Sequence, residues 1–223
     1  ALAPWDIGPM PARTPTIDCL CERGLRFTQA WASPVCSPTR GEVQTGRYSR
    51  RQDLGTILLP NEALPYELPD NGGGLAKVAG RAGYRTGFFG KWHLAEPTHA
   101  MAASHPNRFG FDRFAGSIAN LNTTTSGHER NDYCLWQRIE DGVSHDVVTY
   151  PTTTTVDDAL EFVGRDVGPW LVVLSFNAPH VPLHRPPEEL VGEPVQAFSR
   201  DHGMFLAMIE AVERNESIVV VAP

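Results

Sequence analysis

The chain has 223 residues, 41% of them hydrophobic and 20% charged, with a formal net charge of -7. That composition suits a soluble globular protein with one substantial core, and the acidic balance argues against nucleic acid or an anionic membrane as the main partner. No apolar run reaches the length of a membrane span, no basic-then-apolar leader stands at the start, and Ala1 leaves room for a natural N-terminus upstream.

In chain order, Thr14 and Pro15 read as the N-cap and first position of a helix. Ile17, Leu20 and Cys21 follow at helical spacing and Gly24 closes it. "LRFTQAW" (25–31) reads as a short strand. Beyond Arg40, "GEVQTG" has room only for a short helix ended by Gly46. Residues 51–74, rich in Pro, Asn and Gly, read as surface loop. "LAKVAGRAG" (75–83) predicts a helix capped by Gly83, and "YRTGFFGKW" (84–92) a strand running into a loop. Residues 95–132 are polar and irregular, as expected of an insertion over a site. "TTVDDALEFVGRD" (154–166) predicts a helix capped by Thr154 or Thr155, with Asp157 and Asp158 at its positive end. "PWLVVLSF" (169–176) is a continuous apolar run, the pattern of a strand buried on both faces. A helix over 202–215 and a second buried strand, "SIVVVAP" (217–223), complete the chain. Helices alternating with apolar strands indicate an α/β fold with a largely parallel sheet. Functional loops then belong at the carboxyl ends of the strands.

The cysteines are Cys19, Cys21, Cys36 and Cys134. The C-x-C pair lacks zinc-knuckle spacing, so a structural zinc is not expected, and spacing assigns no disulfide. Cys36 differs in its setting, "CSPTRGEVQTGR" (36–47). Two further stretches concentrate chemistry: "GYRTGFFGKWHL" (83–94) and "NAPHVPLHRPPE" (177–188), the second directly after an apolar strand. Each has a plainer reading. A lone cysteine among apolar residues is usually an inert thiol; Lys-Trp-His is usually surface; His180 and His184 can be ordinary loop histidines, with His184 expected in solvent. His99, His105, His128, His145 and His202 stand in polar contexts and earn no role.

Residues 36–47 resemble the sulfatase signature C-x-P-[ST]-R-x-x-x-x-T-G-R. Residues 83–94 are similar to that family's G-Y-x-T-x-x-x-G-K-W-H-L, and 177–188 to its N-x-P-H-x-P-L-x-x-P. Weaker echoes are residues 14–36 and 107–116, and all fall in the family's order. The resemblance is to the formylglycine-dependent type I sulfatases. It implies an alkaline phosphatase-like α/β sandwich, here the catalytic N-terminal domain over 1–223 without its first strand or the region after its last. It also implies that a formylglycine-generating enzyme oxidises Cys36 to an aldehyde that hydrates to a diol. One hydroxyl would attack sulfur and the other would release sulfate. By position, Arg40 would hold the diol, Lys91 would bridge diol and sulfate, His93 would accept the diol's proton, and His180 would serve the leaving oxygen. The implied substrate is a sulfated small molecule or glycan; neither nucleic acid nor a membrane span is implied, and the compartment, on resemblance alone, would be periplasmic or secreted.

Such chemistry needs a nucleophile, cations around the sulfate oxygens and an acid for the leaving oxygen. The family also uses a divalent cation, usually calcium, on an Asp-Asp and an Asp-Asn pair. Neither pair has a counterpart here: Asp6 matches a later family position, 217–223 ends in Ala-Pro, and "DNGGG" (70–74) precedes a helix rather than following a buried strand. Gln44 stands where an apolar residue would pack. The expectation is therefore a sulfuric ester hydrolase by family, with little or no activity in these residues alone. A non-catalytic remnant and a phosphonate or phosphate monoester hydrolase of the same superfamily stay open. Asn122 and Asn215 begin sequons that matter only in a eukaryotic secretory route.

Overall fold

Two adjacent phenylalanines, Phe88 and Phe89, point to opposite faces of one strand and so organise two cores. In a computed structural model, which describes residues 12–60, 66–121, 132–165, 168–192 and 199–214, that strand is β1 (Arg85–Gly90). It lies parallel to both β2 (Arg113–Gly116) and β5 (Trp170–Ser175). An antiparallel hairpin of β3 (Trp136–Glu140) and β4 (Val143–Val147) extends the sheet beyond β2, giving the order β4-β3-β2-β1-β5. On one face Phe88 packs edge-on against Trp92, centroids 5.0 Å apart, within a cluster holding Phe109, Phe111 and Phe114. On the other, Phe89 and Ala115 meet Ala159 and Phe162 of α5 (Pro151–Gly164).

By compactness the chain divides into two units. Residues 32–177 hold the whole sheet together with α2 (Cys36–Thr45), α3 (Leu75–Arg81), α4 (His105–Phe109) and α5. Residues 1–31 and 178–222 form the other, in which the Thr16 N–H at the start of α1 (Pro15–Arg23) donates to Glu213 of α6 (Arg200–Arg214).

Several expectations are corrected. Residues 25–31 form no strand: no described strand pairs with them, and Trp31 is 95% exposed. The described part of 95–132 is no irregular insertion, since it supplies α4, β2 and three core aromatics. Those rings share no single period, yet all three converge on Trp92. The β3–β4 hairpin was signalled by Asp141-Gly142, whose φ values of 45° and 89° suit a tight two-residue turn. The 154–166 helix starts earlier, with Pro151 in its first turn, and Thr154 Oγ1 bonds the Tyr150 carbonyl at 3.2 Å instead of capping. β5 is not buried on both faces: all six residues are half-buried, and among the described strands it pairs with β1 alone. Asp6, Asn122, His128, Asn215 and the strand expected at 217–223 lie outside the described residues.

Candidate active site

Cys36 is the first residue of α2, entered from extended Val35 and ended by Gly46 in the left-handed region (φ 66°). The free amides and dipole of a helix N-terminus favour negative charge there. The approach is pinned on both sides. Thr39 Oγ1 donates to the Ser33 carbonyl at 3.2 Å, and buried Ser37 accepts from the Leu58 N–H at 3.2 Å.

The facing half comes from the end of β1. Gly90 has φ 104°, and a Cβ on it would lie 2.1 Å from the Ser175 carbonyl oxygen, so only glycine fits. The next three amides bond in succession: Lys91 to Ser175 O (2.7 Å), Trp92 to Ser117 O (2.9 Å) and His93 to Ile118 O (2.8 Å). His93 itself is left-handed, φ 57°, a costly conformation for a non-glycine residue. That backbone turns its ring onto Cys36, with Nδ1 3.2 Å from Sγ. Nε2 lies 2.8 Å from the Leu58 carbonyl, which only accepts. The proton therefore sits on Nε2, and the Nδ1 lone pair faces residue 36.

Arg40, one turn beyond Cys36, donates from Nη1 to Ser175 Oγ at 2.5 Å and to the Lys91 carbonyl. Ser175 Oγ donates to that same carbonyl at 2.9 Å. Lys91 Nζ is held by Oδ1 of buried Asn120. Burial lowers Arg40 to about 10, with Cys36 pulling the other way, so its charge persists at neutral pH. Burial, then the Arg40 guanidinium, lowers Lys91 to about 8 against the opposing pull of Cys36. Two cations are thus held in low dielectric beside one sulfur atom.

Of the residues expected at the site, Cys36, Arg40, Lys91 and His93 converge within residues 32–177. His180 belongs to the other unit, where it is half-buried with Nδ1 2.9 Å from the Val181 carbonyl. Sequence reasoning missed Asn120 and Ser175. The echo segment 107–116 ends four residues before Asn120, and Ser175 closes the apolar run of β5; those were the available signals. His105, given no role, is buried: Trp92 Nε1 donates to its Nδ1 at 2.8 Å, and its Nε2 lies 3.0 Å from the Leu68 carbonyl. Burial lowers it to about 4, so it is neutral and fixes the tryptophan between Lys91 and His93. Gln44 is 3% exposed and its Oε1 has no hydrogen-bond partner, a polar group in an apolar berth.

The sulfatase family profile matches residues 5–198. The chain belongs to the sulfatase family. It is 33% identical over 172 residues to Arylsulfatase H of Canis lupus familiaris, covering 73% of this chain and 30% of that protein. It is 26% identical over 247 residues to the Ulvan-active sulfatase of Formosa agariphila, covering 94% of this chain and 44% of that one. The crystal structure of Ps i-CgsB superposes with a TM-score of 0.77 at 25% identity, covering 93% of this chain and 49% of that chain. The chain therefore spans about a third to a half of these sulfatases, and its fold is the alkaline phosphatase-like one expected. Calcium is the family's usual cation, but no three His, Cys, Asp or Glu side chains converge among the described residues. These residues do not fit a calcium site, and no step below passes through one. No described helix is long and apolar enough to cross a membrane.

Proposed function

We propose that the protein hydrolyses a sulfate ester at residue 36, with Cys36 matured to formylglycine by a formylglycine-generating enzyme. The observation that carries this reading is the convergence of Cys36, Arg40, Lys91 and His93 at the start of α2 and the end of β1. The hydrated aldehyde supplies a nucleophilic hydroxyl and a second hydroxyl through which sulfate can be released. His93 Nδ1, the acceptor nitrogen of the tautomer whose Nε2–H sits on the Leu58 carbonyl, accepts the proton from the oxygen at residue 36. Arg40 and Lys91 offset charge developing on the sulfate oxygens, and their hydrogen bonds to Ser175 and Asn120 hold them in place before substrate arrives. His180 is assigned the leaving oxygen from its match to the family motif.

The substrate class is a sulfated small molecule or glycan. Support comes from the relatives: an ulvan-active sulfatase, steryl-sulfatases such as that of Rattus norvegicus, and the structure of BT4656 with D-glucosamine-2-N,6-O-disulfate, 26% identical with a TM-score of 0.58. The test is mass spectrometry of the peptide carrying residue 36 after co-production with a formylglycine-generating enzyme, paired with aryl sulfate and aryl phosphate assays. Formylglycine and preferential sulfate hydrolysis are expected. An unmodified thiol in such cells, or faster cleavage of the phosphate, would overturn the reading.

A further inference from the structure

A cavity of about 930 Å³ lies within the 1–31/178–222 unit, between the segment that follows His180 and one face of α6. It is near the upper end of the range for small-molecule sites, roughly 300–1,000 Å³. Its charged lining comes from Arg185, Arg200 and Arg214, set against Glu188 and Glu210. None of the three arginines makes a hydrogen bond or ion pair among the described residues. Glu210 is 97% buried as a residue, at 3% exposure, and its Oε1 has no hydrogen-bond partner among the described residues. A buried carboxylate oxygen without a donor is costly, and a ligand that donates to it relieves that cost.

Gly192 shows how closely the two charge types are set. A Cβ there would come within 2.8 Å of both Arg214 Nη2 and Glu210 Oε2, which sets the two charged ends at one wall. Leu183, Val191, Met204 and Ala207 add apolar surface. His184 lines the cavity as well, half-buried rather than in solvent as expected, with Nδ1 3.0 Å from the Pro182 carbonyl.

A ligand that completes this lining must bring an anion for the guanidiniums, a hydroxyl to donate to Glu210, and a ring with an apolar face. Inorganic sulfate or phosphate has neither the hydroxyl-bearing ring nor the bulk. We infer that the cavity binds an acidic saccharide, its sulfate or carboxylate on Arg185, Arg200 and Arg214 and a hydroxyl on Glu210. Among the described residues the lining comes from 183–192 and 200–214 and includes none of Cys36, Arg40, Lys91 and His93, so it takes its ligand whether or not residue 36 reacts.

The test is calorimetric titration of the protein with glucose 6-sulfate and with glucuronate, using glucose as the uncharged control. Either charged sugar is expected to saturate, and the pair identifies which anion is preferred; glucose should not. Arg200→Gln/Arg214→Gln should weaken binding roughly tenfold or more, as loss of charge-assisted hydrogen bonds does. Glu210→Gln should weaken it less, and Lys91→Ala should leave glucuronate binding unchanged. Unaltered affinity in the double arginine variant, or glucose binding as tightly, would overturn the proposal. So would loss of glucuronate binding in Lys91→Ala alone, which would move the sugar to residue 36 and leave the hydrolase reading standing. Should the double variant lose its melting transition, Arg185→Gln, at an exposed loop position, makes the same comparison.

Discussion

Two buried histidines in the sheet-bearing unit are wired alike and do different things. In each, Nε2 donates to a backbone carbonyl, Leu58 for His93 and Leu68 for His105, so each ring is held as the Nε2–H tautomer. The difference lies at Nδ1. In His105 it is filled by the Trp92 indole N–H; in His93 it faces Cys36 Sγ. One lone pair is spent on architecture; the other is the one the proposed mechanism uses. A histidine's role here follows from what stands opposite one nitrogen, not from its burial, which is nearly the same (1% and 2% exposed).

The sharpest way to break the comparison is to remove each ring. His93→Ala, in material matured to formylglycine, should lower kcat for an aryl sulfate about 10²–10⁴-fold, the usual worth of a positioned base, a loss far larger than its own cavity and stranded Leu58 carbonyl explain. His105→Ala should do the converse. It strands the Trp92 N–H and opens a cavity, costing about 2–4 kcal/mol in urea unfolding, while kcat well below the melting temperature stays within a few-fold. If both variants lose activity and stability together, the division of labour is wrong.

The pH dependence sharpens it further. Burial disfavours the charged His105 ring, lowering it from 6.5 to about 4. Its stability contribution is complete above pH 6.5 and is lost as pH falls toward 4, because the unfolded chain takes up the proton first; below 4 no more is lost. The urea midpoint should fall over that window by the equivalent of roughly 1–3 kcal/mol, and the fall should vanish in His105→Ala. Lys91 runs the other way. Its ammonium is disfavoured in the fold, so its cost is present below about pH 8 and relieved between 8 and 10.5, while its usefulness as a cation declines over the same rise. Activity should therefore fall on the alkaline side just where this contribution to stability improves, and Lys91→Met should abolish the first effect and remove the second. The smallest expected change is Gln44→Leu, which replaces a buried amide whose Oε1 has no partner and should stabilise by about 1 kcal/mol without altering kcat.

Much of the site was legible because its residues come as short contiguous motifs: Cys36 with Arg40 on one helix, Lys91 with His93 after one strand. Asn120 and Ser175 were not, because an isolated Asn or Ser carries no period and gains meaning only when a cation lands on it. His105 was set aside for its polar neighbours in sequence, yet its neighbours in space are Trp92 and Phe109. The strand expected at 25–31 had the right residue types and no described partner. β5 had the letters of a strand covered on both faces, but burial depends on what packs against it, and along the described edge only β1 does.

Local chemistry alone determined the family, the glycine before Lys-Trp-His and the limits of several helices, though it began the helix that carries Cys36 five residues too late, at Gly41. These depend on spacing, turn stereochemistry and capping, all of which act within a few residues. Only the tertiary structure decided which nitrogen of His93 faces Cys36, which side chains hold Arg40 and Lys91, and that arginines 185, 200 and 214 share one cavity. Each of those depends on groups far apart in the chain being brought within a few ångströms, where burial changes what a charge costs and a single carbonyl chooses a tautomer.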